Sequence, residues 1–363
     1  MQKRLCGREQ EFGAKIILSS GGLRKLKLGT RADVICKIIS LIADVVPAVT
    51  FNDSSSDYWL CNGSRVYLDM DSVETSTAEH LAGSFDGIAQ EKALELILNK
   101  AVQSIIRSKI GLESVALYKN NVWLQKEDGR FQEETYGSHH NYSYLTKKRE
   151  RVFGLMKNFI PAALPLTGNG HALGLRSGQF VYCLSQRARH IILVKHDDTS
   201  SVRPIINLRD EPLMNESTGL SRLHLISRDA TRCEFQTWLV DTITHLVLRL
   251  AEEGWQLRPS LVLERPLAEL HHLNFKFDLN YELKTASCAM DVVDYNYLFL
   301  RAAEKLKPLS EPEKLCLQEW ERVLELLKAR AFDQLVGELD WVTKWWLLKK
   351  KMSKYASGSR RKD

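Results

Sequence analysis

The sequence predicts an α+β protein built on an antiparallel sheet. Strand-like segments with polar residues at spacings of two crowd the chain up to about residue 230, few of them alternate with helices in regular β-α-β units, and the remainder is nearly all of helical period. With 363 residues there is room for one large core or for two packed lobes.

The first segment, Gly7-Arg8-Glu9-Gln10-Glu11-Phe12-Gly13, sets two carboxylates two positions apart. Successive strand side chains point to opposite faces, so Glu9 and Glu11 share one face. An apolar run of helical spacing follows at 32–46, then a polar turn region at 52–57. Asn62-Gly63 is a tight-turn pair, which makes 58–69 a hairpin with Arg65, Tyr67 and Asp69 on one face and Val66 and Leu68 on the other. Leu94, Leu98, Ala101 and Ile105 stripe a helix over 88–108, placed to cover a sheet. Strand-like pieces return at 115–118, 142–145, 180–184, 202–208 and 223–227. A helix over 233–253 buries Phe235, Leu239, Ile243, Leu246 and Leu250 and stops at Gly254. Three further helices are predicted: over 291–307, after the capping box of Ser310 and Glu313, and over 332–348. The chain is thus one domain over 1–348, strand-rich to 230 and helical over 231–348, followed by a basic tail at 349–363 whose composition predicts disorder.

Charge and cysteine usage exclude several classes. The net charge of +6 comes from the end, where Lys344, Lys349, Lys350, Lys351, Lys354, Arg360, Arg361 and Lys362 against Asp363 give +7 and leave the remainder near −1. The body is close to neutral and is not a nucleic-acid binder. Seven cysteines without a C-x-x-C pair give neither a disulfide framework nor a zinc ribbon. The best apolar run, 34–49, is interrupted by Lys37, Asp44 and Pro47, so a soluble, cytoplasmic protein without membrane contact is expected. No G-x-x-x-x-G-K-[ST] loop is present, so any ATP is held without a Walker motif.

The candidate chemistry is acidic. Glu9, Glu11, Glu74, Glu79 and Asp69 supply hard oxygen ligands suited to Mg²⁺ or Mn²⁺, and a magnesium site implies phosphate. Arg203, Ile205, Asn207, Arg209 and Glu211 share a strand face, where two arginines make either a phosphoryl clamp or surface salt bridges. His139 and His224 each offer a neutral ring nitrogen to a metal, or a hydrogen bond in a purely structural role. Asp69 fits a general base, with one more metal ligand as the alternative. Ser138 and His139 lack a third orienting group, so a nucleophilic hydrolase is not indicated.

Eight segments in order make the chain resemble the Pup ligase and depupylase (proteasome accessory factor A) family of carboxylate-amine ligases. They are residues 7–13, 62–69 (Asn-Gly-Ser-Arg-Val-Tyr-Leu-Asp), 118–121 (Tyr-Lys-Asn-Asn), 136–139 (Tyr-Gly-Ser-His), 184–187 (Leu-Ser-Gln-Arg), 203–212 (Arg-Pro-Ile-Ile-Asn-Leu-Arg-Asp-Glu-Pro), 222–226 (Arg-Leu-His-Leu-Ile) and 338–341 (Glu-Leu-Asp-Trp). The resemblance implies a curved antiparallel sheet of glutamine-synthetase type, covered by helices, whose concave face holds ATP and divalent metal. By the family pattern Glu9, Tyr67 and Glu74 fall on metal positions, Arg65 and Thr77 on ATP-contacting positions and Asp69 on the catalytic base. Glu11 and His139 join them here as metal candidates, and Arg203 and Arg209 as phosphate contacts. The implied reaction phosphorylates a glutamate carboxylate of a small ubiquitin-like protein modifier and joins it to a substrate lysine. The same scaffold also accommodates a phosphotransferase or ATP hydrolase using a small phosphate acceptor, and a depupylase-like hydrolase.

Three departures from the family pattern bear on that expectation. His140 stands where the pattern has glutamate, and the stretch between Gly13 and Arg65 is too short for the long loop of depupylases, which favours the ligase. The family also continues past 338–341 into a further domain that supplies a tryptophan to the ATP pocket, whereas this sequence ends at Asp363.

Overall fold

The structure is a computed structural model that describes residues 3–18, 31–50, 56–108, 112–127, 130–174, 179–197, 202–209 and 216–359. Its contacts divide the chain into two units, Leu5–Asn141 and Met1–Arg4 with Tyr142–Asp363. The change from strand-rich to helical sequence near 230 falls inside the second of these.

In the first unit β1 (Leu5–Leu18) is the strand on which the others are hung. It pairs antiparallel with β6 (His80–Leu81) at Leu5 and Cys6, with β5 (Ser72–Ser76) over 9–12, and with β7 (Leu112–Tyr118) from Gly13 onward. From β5 the ladder continues antiparallel through β4 (Arg65–Asp69) and β3 (Asp57–Leu60) to β2 (Ala48–Thr50). The β3/β4 hairpin is the one expected from Asn62-Gly63: Gly63 adopts φ +87°, and its amide donates to the Leu60 carbonyl at 2.9 Å. The antiparallel α+β class is therefore as the sequence predicts.

One face of this ladder is apolar. Phe12, Val66 and Val73 pack against Val34, Ile35, Ile38 and Ile39 of α1 (Arg31–Ser40), Ile42 of α2 (Ile42–Val45), and Leu94, Leu98, Ala101 and Ile105 of α3 (Asp86–Arg107). Each side chain so buried contributes about 1.5–3 kcal/mol. The single helix expected over 32–46 is two, because at Leu41 the amide bonds back only three residues to Ile38. On this helix-facing side the buried Arg8 pairs with Glu91 of α3 at 2.7 Å, and Lys119 pairs with Glu91 and with Glu95 (2.9 Å). The sequence does not predict β8 (Val122–Glu127) and β9 (Arg130–Thr135), which form a hairpin of their own. Nor did it extend β10 (Ser138–Leu145) back from 142, although its first four residues belong to this unit.

The second unit is mainly helical. It holds α4 (Arg149–Ala162), α5 (Glu234–Glu253), α6 (Val292–Ala303), α7 (Glu311–Lys328) and α8 (Asp340–Ser359), with β11 (His171–Gly174) and β12 (Phe180–Cys183) paired antiparallel. β13 (Leu193–His196) pairs parallel with β14 (Pro204–Asn207), and β15 (Leu220–Leu225) runs antiparallel to β14. α5 ends at Gly254, φ +97°, and α7 opens on the capping box of Ser310 and Glu313, both as expected. The helix expected over 332–348 begins only at Asp340, whose carboxylate accepts the Arg232 and Cys233 amides (2.7 and 3.2 Å) at the start of α5. The tail expected to be disordered from 349 instead continues α8 as far as Ser359; residues 360–363 lie outside the described residues. Among the described residues no helix is long and apolar enough to cross a membrane, and all seven cysteines are free.

Replacing Glu91 with alanine should cost about 3 kcal/mol in urea denaturation, since it strips Arg8 of a carboxylate partner in a buried site. A loss under ~0.5 kcal/mol would contradict that role.

Candidate active site

The other face of the same ladder is polar, and its register lines up the acids. Across β1, β5, β4 and β3 one row reads Glu11, Glu74, Tyr67 and Asp57; the next reads Glu9, Ser76, Arg65 and Trp59; Asp69 stands opposite Ser72. The intervening rows, Phe12 with Val73 and Leu68 and Gln10 with Thr75 and Val66, point to the helices.

His139 on β10 closes the acidic row. Its Nδ1 lies 3.1 Å from Glu9 Oε2 and 4.0 Å from Glu74 Oε1, while Nε2 lies 3.9 Å from Glu11 Oε1. Gly137 makes this approach possible, because a Cβ there would collide with both His139 Nε2 and Glu11 Oε1. Its carbonyl accepts the Glu11 amide at 3.1 Å, tying the segment before His139 to β1. His140, the departure from the family pattern, is buried on the opposite side of the strand.

Crowded carboxylates hold on to protons. Burial first, then the charges of Glu9, Glu11 and Asp69, push Glu74 well above the usual carboxylate range, against a hydrogen bond from Tyr67. Burial and Glu11 raise Asp69 as well, with His139 acting against them. The Tyr67 phenol is raised by burial and by Glu74 and Glu9. Arg65 forks onto Asp57, Nε to Oδ1 at 2.8 Å and Nη2 to Oδ2 at 2.7 Å, and lies 4.1 Å from the centre of the Tyr67 ring and 5.3 Å from that of Trp59. Carboxylates, a phenol and an imidazole converging in one place fit a hard divalent cation.

Of the sequence-predicted residues, Glu9, Glu11, Tyr67, Glu74 and His139 come together in one cluster, with Asp69 and Arg65 in adjacent rows. Thr77 follows β5 and is buried; its hydroxyl accepts the Arg8 amide at 3.1 Å. Glu79 is exposed beyond it. Arg203 and Arg209 belong to the other unit, on either side of β14, the first half-buried and the second exposed; Glu211 lies outside the described residues. The sequence reading passed over Asp57 and Trp59, although their alternation on the first strand of the hairpin was available as a signal.

Comparison with known proteins adds the relationships. Residues 30–362 match the family described as Pup-ligase protein. The chain is 30% identical to the Pup–protein ligase of Saccharomonospora viridis, over 98% of this chain and 75% of that protein, and 29% identical to the Pup–protein ligase of Acidimicrobium ferrooxidans, over 96% and 73%. Among solved structures it is similar to the ligase PafA in complex with the prokaryotic ubiquitin-like protein Pup, with TM-score 0.78, 25% identity and coverage of 98% of this chain and 69% of that one. It is also similar to PafA in complex with ADP, with TM-score 0.68, 27% identity and coverage of 84% and 67%.

The raised Glu74 sets a pH dependence. A carboxyl whose folded pKa lies above its unfolded one stabilises the fold fully below the unfolded value and loses that contribution as pH rises through the folded value. With chelator present, the urea midpoint should fall as pH rises from about 4.5 through the raised range of Glu74, and Glu74→Gln should flatten the fall. A midpoint that rises or stays level in the wild-type protein would contradict this.

Proposed function

Because the chain belongs to the Pup-ligase family, we propose that it is an ATP-dependent ligase that phosphorylates a glutamate side-chain carboxylate and joins it to a lysine amine as an isopeptide. The observation that carries the reading is the convergence of Glu9, Glu11, Tyr67, Glu74 and His139 on one sheet face with Asp69 in the adjoining row. The carboxylate donor is a small ubiquitin-like protein modifier and the amine belongs to a protein substrate, with the reaction in the cytoplasm, where ATP is supplied. The Pup-bound relative supports the modifier and the ADP-bound one supports the nucleotide.

Glu9, Tyr67 and Glu74, with Glu11 and His139 beside them, would hold Mg²⁺ or Mn²⁺. When bound, the cation supplies neutralising charge for the transferred phosphoryl group. Arg65 and Thr77 contact the nucleotide. With its fork held by Asp57, Arg65 offers a fixed guanidinium plane instead of a free phosphate clamp. The glutamate oxygen takes the γ-phosphoryl group and ADP leaves; the lysine nitrogen then attacks the acyl carbon and phosphate departs. Asp69 receives the amine's proton. Its raised pKa makes it a stronger base than an ordinary carboxylate, and its ionisation depends on cation binding nearby.

Incubation with ATP, Mg²⁺ and a glutamate-ended modifier should give a higher-mass conjugate and ADP, and Asp69→Asn should lower the conjugation rate by about 10²-fold or more while ADP still binds. Equal conjugation by the variant would remove Asp69 as base. ATP turnover with phosphate delivered only to a small acceptor would replace the ligase reading with phosphotransfer.

A further inference from the structure

We infer that Arg31 is a positioning residue that ties the metal-binding half of this site to the half carrying Asp69. The inference rests on the proposed function for its consequence in catalysis, but its geometry is independent of it. Arg31 opens α1, and its side chain is 23% exposed. Nη2 donates to the Tyr136 hydroxyl at 2.9 Å, Nη1 donates to Glu134 Oε2 at 3.2 Å, and the Tyr136 hydroxyl donates in turn to Glu134 at 2.5 Å. From this fixed triad Nη1 also lies 3.8 Å from Asp71 Oδ2. One guanidinium therefore reaches the residue three before His139 and the residue two after Asp69.

Both connections lead into the site. The Tyr136 ring lies over Gly13 of β1, where a Cβ would come within 2.9 Å of it, so the ring has no room to settle toward the strand if its hydroxyl is released. The Tyr136 carbonyl accepts from Asn121 Nδ2 at 2.9 Å, and the next carbonyl, of Gly137, accepts both the Glu11 amide and Gln10 Nε2 at 3.1 Å. The placement of Tyr136 thus fixes Glu11 and His139. On the other side the turn after Asp69 holds Met70 at φ +50°, an unfavourable conformation for a side-chain-bearing residue that its surroundings must impose. An isolated pair to Asp71, which is 60% exposed, would contribute little by itself. Here the cation is already immobilised by two partners, so little further side-chain entropy is lost in holding the turn. The expected effect is on reaction geometry, to which rates are steeply sensitive.

Arg31→Gln should lower kcat for conjugation about tenfold or more with the ATP KM changed less than about twofold. In a Tyr136→Phe background the same substitution should cost much less, because the two act through one hydrogen-bonded unit. Independently of turnover, amides in 69–72 and 136–139 should exchange with solvent together and faster in Arg31→Gln, while those of 57–66 keep wild-type rates. Arg31→Lys should restore part of kcat by keeping the charge near Glu134 and Asp71. An unchanged kcat, a parallel change in kcat and KM, additive effects with Tyr136→Phe, or exchange altered only next to residue 31 would overturn the assignment. A wild-type protein that forms no conjugate would sink the functional reading while the exchange experiment still decided the role of Arg31.

Discussion

The site depends on the register between β1, β5 and β4. Residues 9–12, 72–76 and 65–69 are two-faced, and a slip of one residue would turn every acid toward the helices and every core side chain toward the polar face. Phe12, Val66 and Val73 prevent the slip because they are buried against α1 and α3, so the apolar face sets the alignment on which Glu11, Glu74 and Tyr67 meet. The buried pairing of Arg8 with Glu91 reinforces it, fixing β1 to α3 between the apolar positions.

What the register assembles is electrostatically unfavourable. Glu9, Glu11, Asp69 and Glu74 repel one another, and the structure responds by raising the affinity of Glu74 and Asp69 for protons. The fork of Arg65 is taken by Asp57. Strain of this kind in a functional site is tolerated when packing elsewhere holds it, and here the helix-covered face does so. Binding a divalent ion and nucleotide would convert the repulsion into affinity.

Much of the fold and part of this arrangement were legible in the sequence. Alternation alone put Glu9 with Glu11 and Arg65 with Tyr67 and Asp69, and Asn62-Gly63 announced the hairpin that presents the second set. Bringing Glu74 and His139 to the same place requires pairing among strands distant in sequence, which no local pattern encodes; it came from the family resemblance, and from His139 as a candidate, not from spacing. α4 carries the same kind of signal, with Val152, Leu155, Met156 and Phe159 at helical spacing, and was legible although the prediction did not include it. The lysines after 348 signalled a solvated tail, but a helix begun at Asp340 propagates through them at small cost. The ties from Arg31 to Tyr136, Glu134 and Asp71 join positions that share no sequence motif at all.

The central claim is that these acids form a divalent-cation site. Calorimetric titration of Mg²⁺ into the metal-free protein near neutral pH, in two buffers of different ionisation enthalpy, measures affinity and displaced protons together. Binding that releases protons, with release and affinity both reduced by Glu74→Gln, is the predicted result. Absence of Mg²⁺ binding, or binding without proton release that Glu74→Gln leaves unchanged, would contradict it.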